Sequence, residues 1–237
     1  MRPILLLALL VAPLVAGPHR FSSGEGRTHL IELFSSEGCS SCPPAEKWLG
    51  ALRDAPGLWR DFVPVAFHVN YWDRLGWPDR FASKEYTARQ YAYADVWRAG
   101  TVYTPGFVLD GRDWREGVGR TLPQAGNKAG ILAVEIREAR CAVVFQPASG
   151  ADQAYEVHIA LLGGGIQSKV RAGENRGETL QHEFVALALV THRLENGQGE
   201  FALPASTLSG ATRRSLAVWV TRAGSSEPLQ ATGGWLE

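Results

Sequence analysis

The sequence lacks an excess of charge of either sign. Lys and Arg total 24, as do Asp and Glu, so the 237 residues carry a formal net charge of zero. Such a chain has no bulk electrostatic attraction to nucleic acid or to anionic membranes. Three cysteines are too few for a disulfide framework. The composition, 45% hydrophobic and 20% charged, is otherwise typical of globular proteins and excludes a disordered, collagen-like or coiled-coil chain.

Long hydrophobic runs are missing except at the N-terminus. Residues 4–11 are all apolar, follow Arg2, and precede a small-residue stretch that ends at Gly17. This layout predicts a secretory signal peptide, residues 1–16, cleaved near Ala16. Residues 17–27, small and polar, are expected to form a tether. We therefore expect a secreted protein with no transmembrane segment in the mature chain, in a compartment where disulfides persist.

The usual signatures of several enzyme classes are absent as well. The sequence contains no Gly-rich phosphate loop, no G-x-S-x-G and no H-E-x-x-H. It has one C-x-x-C, so it cannot build the four-cysteine zinc site that two such motifs provide. Chemistry must therefore come from that single motif and its surroundings.

Hydrophobic patterning changes near Gly130, where we place a domain boundary. Before it, apolar runs predict strands and helical spacing predicts helices. The strands are predicted at residues 28–34, 62–69 and 107–109, and the helices at 43–53, 79–99 and, weakly, 120–128. After it, short apolar runs separated by Gly-rich turns predict a β-sandwich-like domain, residues 131–237. These runs are residues 131–138, 142–146, 155–162, 184–194 and 216–222.

The motif Cys39-Ser40-Ser41-Cys42 lies between a predicted strand and a predicted helix. Two thiols at this spacing can close a tight disulfide and reopen it. The amide dipoles of a helix N-terminus stabilise a thiolate, which predicts a lowered pKa for the first cysteine. Cys39 is therefore the candidate nucleophile and Cys42 the candidate resolving thiol. The prolines that follow remove two amide donors from the first turn, leaving the Ser41 and Cys42 amides and the serine hydroxyls.

A second element stands downstream, where Thr104 and Pro105 precede an apolar strand and a turn. Thioredoxin-like folds place such a step, with a cis proline, opposite their C-x-x-C. A cis bond exposes backbone to an extended substrate strand. We predict that Thr104 and Pro105 position the substrate; the alternative is an ordinary trans proline at the start of a strand.

Four segments, taken together, resemble one family: residues 31–45 (IELFSSEGCSSCPPA), 68–78 (HVNYWDRLGWP), 81–92 (FASKEYTARQYA) and 103–111 (YTPGFVLDG). It is an uncharacterised family of secreted bacterial proteins, largely Gram-negative, whose label is a domain of unknown function. The resemblance spans residues 28–125 and continues weakly through 170–180. It implies a periplasmic location and an α/β thioredoxin-like domain with a helical insertion over residues 28–130, followed by the all-β domain. One departure is Asn70, where the family pattern has an acidic residue.

Other residues near these motifs are weaker candidates. Glu32, inside an apolar strand, and His68, at a strand end, are candidates for proton transfer, each with a structural role as the alternative. Trp72 and Trp77 are candidates for a substrate groove, with core packing as the alternative. The odd cysteine, Cys141, is expected to be a buried, inert thiol rather than half of an intermolecular disulfide.

These observations favour a thiol–disulfide oxidoreductase that acts on protein or peptide thiols through Cys39 and Cys42. It needs no organic cofactor, because the disulfide carries two electrons, but it needs a redox partner that the sequence does not identify. Two alternatives remain open. One is a copper-binding protein or metallochaperone that uses Cys39 and Cys42, with or without His68. The other is a non-catalytic binding module in which the disulfide is structural.

Overall fold

The structure is a computed structural model that describes residues 17–115, 117, 119, 121–149 and 154–236. These residues form two α-helices, α1 (Pro43–Ala51) and α2 (Lys84–Trp97), and fourteen strands. The strands are β1 His19–Ser22, β2 His29–Ser35, β3 Phe62–His68, β4 Gly106–Leu109, β5 Arg112–Asp113, β6 Gly130–Arg137, β7 Arg140–Pro147, β8 Tyr155–Gly164, β9 Ile166–Lys169, β10 Thr179–His182, β11 Val185–Leu194, β12 Gln198–Ala202, β13 Arg213–Arg222 and β14 Pro228–Trp235. The described part of the chain contains no helix with the length and hydrophobicity needed to span a membrane.

Eight strands form one large sheet in the order β14-β13-β8-β11-β3-β2-β4-β5. β3 is parallel to both of its neighbours, β2 and β11, whereas the other pairs are antiparallel. All seven residues of β3 are buried, as expected for a parallel strand covered on both faces. This explains why residues 62–68 form a continuous apolar run rather than an alternating one.

A four-stranded sheet, β1-β6-β7-β12, packs against one end of the large sheet. Its inner residues alternate along β6 and β7, as in any sheet with one solvated face. Leu132, Val134, Val143 and Phe145 meet side chains of β8 and β13 in a second hydrophobic core. The short apolar runs that predicted strands at residues 131–138 and 142–146 correspond to β6 and β7.

The predicted fold class is wrong. We expected a thioredoxin-like α/β domain with a helical insertion and a separate β-sandwich-like domain, but the described part of the chain is mostly β, with 46% strand and 15% helix. Strands from both sides of Gly130 join one sheet, because β11 lies beside β3 at the Val185–Ala66 pair. The Ala66 amide donates a hydrogen bond to the Phe184 carbonyl at 2.8 Å. Periodicity identified strands within each half but could not show that they pair with each other.

Many individual elements agree with the sequence prediction. The helix expected at 43–53 runs over Pro43–Ala51, and the one expected at 79–99 over Lys84–Trp97. The weak helix at 120–128 is absent from its described residues, 121–128. The segment expected to be a tether contains β1, which pairs with β6. The predicted signal peptide, residues 1–16, lies outside the described residues.

Helix α1 begins directly after the C-x-x-C motif. Pro43 and Pro44 occupy its first two positions, where amide donors would lack helical partners in any case. The buried face of the helix contains Ala45 and Leu49, and also the carboxylate of Glu46. A buried carboxylate requires partners, and these partners surround the candidate site.

Candidate functional site

Cys39 and Cys42 are joined in a disulfide between β2 and α1, with their Cα atoms 5.4 Å apart. Cys42 is the N-cap residue of α1. Its carbonyl accepts hydrogen bonds from the amides of Ala45 and Glu46, at 3.0 and 3.1 Å. The expected pairing of the two cysteines in the strand–loop–helix connection is confirmed.

Both cysteines are fully buried, although Ser40 and Ser41 between them are exposed. A turn from the second half of the chain, residues 173–177, covers the motif, and we call it the cover turn. Asn175 Nδ2 donates to the carbonyls of Glu37 and Cys39, both at 2.9 Å. Glu174 Oε2 accepts from the amide and the hydroxyl of Ser40, at 3.1 and 2.7 Å. The disulfide is therefore held from both halves of the sequence.

The Thr104–Pro105 peptide bond is cis, as predicted, and it lies beside the C-x-x-C motif. The Ser41 hydroxyl donates to the Thr104 carbonyl at 3.5 Å. The Thr104 hydroxyl accepts from Trp72 Nε1 at 2.8 Å. The structure thus brings Thr104 next to the exposed part of the motif, while its role toward a substrate stays a prediction.

Trp72 and Trp77 flank the same loop and are half-buried. A Cβ at Gly38 would lie 2.9 Å from Trp72 Cβ, so only glycine fits there without a shift. Trp77 Nε1 donates to Glu37 Oε2 at 2.7 Å. Both indole N–H groups are thus satisfied within the protein, and a groove function for these side chains stays a prediction.

Glu32 lies on the other face of the sheet. Arg89 of α2 donates to Glu32 Oε1 at 2.6 Å, and Tyr93 of α2 donates to Glu32 Oε2 at 2.5 Å. The next residues of β2 on the opposite face point toward α1, since Ser35 donates a hydrogen bond to Glu46. Alternation along a strand separates the two sets. The structure therefore does not bring Glu32 to the cysteines.

His68 belongs to a buried group that we call the histidine–carboxylate cluster: Glu37, Glu46, His68, Asp79 and His182. His68 Nδ1 lies 2.6 Å from Asp79 Oδ2, and His68 Nε2 lies 3.8 Å from Glu46 Oε1. His182 Nδ1 contacts Glu46 Oε2, and His182 Nε2 lies 3.2 Å from Glu37 Oε1. Two imidazoles and three carboxylates thus share one enclosed volume directly behind the disulfide loop.

The electrostatics of the cluster are those of mutually compensating charges. Burial disfavours ionisation of Glu46, but His182 and His68 outweigh it and hold the pKa of Glu46 below its ordinary value. Burial likewise opposes ionisation of Glu37 and Asp79, and the adjacent histidines lower the pKa of each. Burial also disfavours a charged His182, yet Glu46 and Glu37 raise its pKa to about 10. Asp79 and Glu46 raise the pKa of His68 in the same way against burial.

Most residues of this site were not predicted from the sequence. Glu37, Glu46 and Asp79 stand inside or beside the quoted motifs, as polar residues among apolar or small ones. Asn175 falls in the weakly matching segment 170–180, and His182 follows two residues after it. The weak family resemblance over residues 170–180 was the one indication of these residues, because it linked a polar stretch of the second half to the C-x-x-C motif.

Cys141 is the free cysteine, and it is buried in the second hydrophobic core. Burial raises the pKa of its thiol to about 11, so it stays protonated and unreactive at neutral pH. In this oxidised form the sulfurs of Cys39 and Cys42 are bonded to each other and His68 faces Glu46, so copper binding by these three residues stays a prediction for the reduced protein.

Comparisons with known proteins give a fold and a family. The crystal structure of protein AGR_C_4864 from Agrobacterium tumefaciens is similar over 90% of this chain and 95% of that chain, with a TM-score of 0.61 and 24% identity. HBP35 of Porphyromonas gingivalis is similar over 90% of this chain and 76% of its own, with a TM-score of 0.57 and 12% identity. At these identities the likeness shows the fold alone.

A search among curated proteins gives no significant match. The family model described as protein of unknown function DUF1223 matches residues 30–221, which is most of the chain. The expectation of a family labelled as a domain of unknown function is therefore confirmed. This chain belongs to the DUF1223 family.

Proposed function

We propose that this protein exchanges thiols and disulfides, with Cys39 and Cys42 as the redox pair and protein or peptide thiols as substrates. The observation that carries the proposal is the position of the pair. A disulfide between residues three apart closes the loop that enters helix α1, with two exposed serines between the sulfurs. Thr104 contributes a backbone carbonyl at the same surface.

A purely structural role is a weak explanation for a disulfide that closes so short a loop. A disulfide stabilises mainly by restricting the unfolded chain, and the restriction grows with loop length. For a loop of this size the chain-entropy relation gives about 2 kcal/mol, against about 3 kcal/mol for a 15-residue loop. The pair also joins residues that β2 and α1 already hold close together. A redox role accounts better for two cysteines at this spacing.

The surroundings favour Cys39 as the nucleophile. Ser41 Oγ lies 3.3 Å from Cys39 Sγ, so in the reduced protein this hydroxyl can donate to a Cys39 thiolate. Pro43 and Pro44 have no amide hydrogen, and the next two amides already donate to the Cys42 carbonyl. The Ser41 hydroxyl is thus a donor placed beside the sulfur, and a hydrogen bond that stabilises the thiolate lowers the pKa of the Cys39 thiol.

The exchange reaction proceeds in two steps with the same groups in either direction. The Cys39 thiolate attacks a substrate disulfide, the substrate S–S bond breaks, and one substrate sulfur leaves as a thiolate that takes up a proton. Cys42 then loses its proton and attacks the mixed disulfide at Cys39, which releases the second substrate thiol. The substrate disulfide gains two electrons and two protons, and the Cys39–Cys42 pair loses them. A dithiol or disulfide partner restores the starting state.

Access to the sulfurs requires the cover turn to withdraw, because both cysteines are fully buried in the closed form. Among the described residues, four hydrogen bonds join the cover turn to the C-x-x-C loop, two from Asn175 and two to Glu174. Complete burial is also the observation that favours the alternative, a binding module whose disulfide is structural. The two proposals differ in whether the disulfide reacts under native conditions.

A trapping experiment separates them. In a Cys42→Ser variant, Cys39 can attack a substrate disulfide but nothing resolves the product, so a peptide disulfide should form a stable mixed disulfide in one-to-one amount. Cys39→Ser should form none, and Cys141→Ser should behave as the unaltered protein. Equal labelling of Cys39→Ser and Cys42→Ser, or no labelling of either in the folded state, would support the structural alternative.

A further inference from the structure

The histidine–carboxylate cluster has an inner and an outer layer. On the inside, Glu46 faces one nitrogen of each histidine: Nε2 of His68 at 3.8 Å and Nδ1 of His182 in direct contact. On the outside, the second nitrogen of each ring faces a carboxylate. Asp79 lies 2.6 Å from His68 Nδ1, and Glu37 lies 3.2 Å from His182 Nε2.

On the His68 side, the outer layer is the arrangement that metal-binding histidines use, whereas His182 Nε2 and Glu37 Oε1 lie 3.2 Å apart without forming a hydrogen bond. A ligating imidazole almost always donates its other N–H to a carboxylate or carbonyl, which fixes the tautomer and orients the ring. Here Asp79 is itself held, because it accepts from the amides of Glu37 and Phe81 at 2.8 and 2.9 Å. With Asp79 accepting the hydrogen of Nδ1, a neutral His68 has its lone pair on Nε2, the nitrogen that faces Glu46.

The inner layer contains an unpartnered polar atom. Among the described residues, His68 Nε2 is a buried nitrogen with no hydrogen-bond partner, in a side chain with no exposed surface. A buried polar atom without a partner is costly, and it calls for an explanation such as an ion. Its 3.8 Å separation from Glu46 Oε1 is too long for a hydrogen bond. It is close to the separation of about 3.4 Å between two ligands of one tetrahedral Zn²⁺.

The geometry points to a divalent transition-metal site formed by Glu46, His68 and His182. One ligand atom from each of the three lies within 4.8 Å of the others, and all three side chains are buried. Two imidazoles and one carboxylate suit Zn²⁺ and its neighbours rather than Mg²⁺ or Ca²⁺, which take oxygen ligands. This inference does not depend on the proposed thiol chemistry, since no sulfur is among the ligands.

Charge and access are consistent with such an ion. Metal-bound histidines are neutral, so the two positive charges of the ion would replace the positive charge that the histidines supply to Glu37, Glu46 and Asp79 when no ion is bound. A cleft of about 550 Å³ between α1 and β10 has Glu46 in its lining, so the surface approaches the cluster at this ligand. The ligands come from α1 and from the ends of β3 and β10. A bound ion would therefore tie the two halves of the chain together behind the disulfide loop.

Cobalt provides the direct test, because Co²⁺ replaces Zn²⁺ and absorbs visible light. Protein freed of metal with a chelator, with its disulfide intact, should bind one equivalent of Co²⁺ and develop visible bands without a sulfur-to-metal charge-transfer band. His68→Gln and Glu46→Gln should lose the signal. The Cys39→Ser/Cys42→Ser double variant should retain it, as should His158→Gln, which alters a buried histidine outside the cluster.

Two further measurements keep the test decisive if a ligand variant does not fold. Asp79→Asn removes the charge behind His68 and should weaken the affinity for Co²⁺ about 10- to 100-fold. X-ray absorption of the unaltered protein loaded with Zn²⁺ should show nitrogen and oxygen ligands with two imidazoles. Failure of the unaltered protein to bind Co²⁺ in one-to-one amount, or sulfur in the zinc shell, would overturn the proposal.

Discussion

The buried residue Glu32 has two candidate roles, proton transfer and charge compensation, and its contacts fit only the second. As an acid in an apolar strand it is a natural candidate for moving protons, but its oxygens are taken by Arg89 and Tyr93 of α2. Its side chain has no exposed surface, and that of Arg89 is 14% exposed. The guanidinium also lies over the rings of Phe67 and Trp219. The structure therefore gives Glu32 the task of neutralising a buried cation.

This role predicts a loss of stability without a change in redox chemistry. Glu32→Gln leaves Arg89 buried without its counter-charge, and breaking a buried pair in this way costs about 3–5 kcal/mol. Urea unfolding should show that loss in the free energy of unfolding. The reduction potential of the Cys39–Cys42 pair should stay unchanged in the folded variant. A shifted reduction potential with unchanged stability would instead indicate that Glu32 acts on the Cys39–Cys42 pair.

His158 is a second buried residue whose environment leads to a testable prediction. Its ring stacks on Trp219, its nitrogens contact the hydroxyls of Thr191 and Thr221, and burial, with the nearby charge of Arg89, lowers its pKa to about 3. An unfolded chain protonates histidine near pH 6.5. Between about pH 6.5 and 3 the unfolded state therefore binds the extra proton, so stability falls as the pH falls through this window.

The corresponding experiment compares the unaltered protein with His158→Gln at pH 7.5 and pH 5. At pH 5, His158 lowers the free energy of unfolding by about 2 kcal/mol, because this pH lies about 1.5 units below the histidine pKa of the unfolded chain. The variant should lose that much less than the unaltered protein over the same interval, whatever its stability at pH 7.5. Equal losses in the two proteins would contradict a neutral, buried His158.

At the scale of elements, the candidate site depends on the cover turn, which belongs to the second half of the sequence. The C-x-x-C loop, α1 and the cis Thr104–Pro105 bond all come from residues before Gly130, whereas the cover turn and β10 come after it. Local pattern predicted the first group because a strand, a loop and a helix each have a local signature. It could not predict the second, because hydrogen bonds such as Asn175 to Cys39 join residues 136 apart.

The contacts of the cover turn lead to a prediction about the rate at which the Cys39–Cys42 disulfide is reduced. Asn175→Ala removes two hydrogen bonds to the loop, each contributing about 0.5–1.5 kcal/mol, and so favours the open form. Dithiothreitol should then reduce the Cys39–Cys42 disulfide about tenfold faster. The exposed Asn127 provides a matched control, Asn127→Ala, which should leave the rate unchanged. An unaltered rate in Asn175→Ala would mean that the turn does not limit access.

At the scale of the whole molecule, the parallel pairing of β3 with β11 decides the architecture. Together with the pairing of β1 and β6 and the hydrophobic core that both halves share, it replaces the domain boundary that hydrophobic patterning predicted near Gly130. Of the strands that were not predicted, β1, β5, β9, β10 and β12 are short and have exposed positions, so their hydrophobic signal is weak. β14 is longer and mostly buried, but proline, glycine and polar residues interrupt its apolar pattern. The well-predicted strands β2, β3, β6 and β7 are those whose burial pattern is strong.

A shared sheet predicts that the first half does not fold alone. Residues 17–130 would expose β3, a fully buried strand, along an unpaired edge. We expect this fragment to show no cooperative thermal transition, whereas the whole chain should show one. A cooperative transition in the isolated fragment would mean that the two halves are independent domains after all.

The most direct test of the central claim is the reduction potential of the Cys39–Cys42 pair. Cys141→Ser silences the odd thiol, and equilibration with glutathione and dithiothreitol buffers followed by counting of free thiols gives the potential. Dedicated oxidoreductases span roughly −270 to −120 mV, so we predict a value above about −250 mV. A value below about −300 mV would identify a structural disulfide and contradict the account.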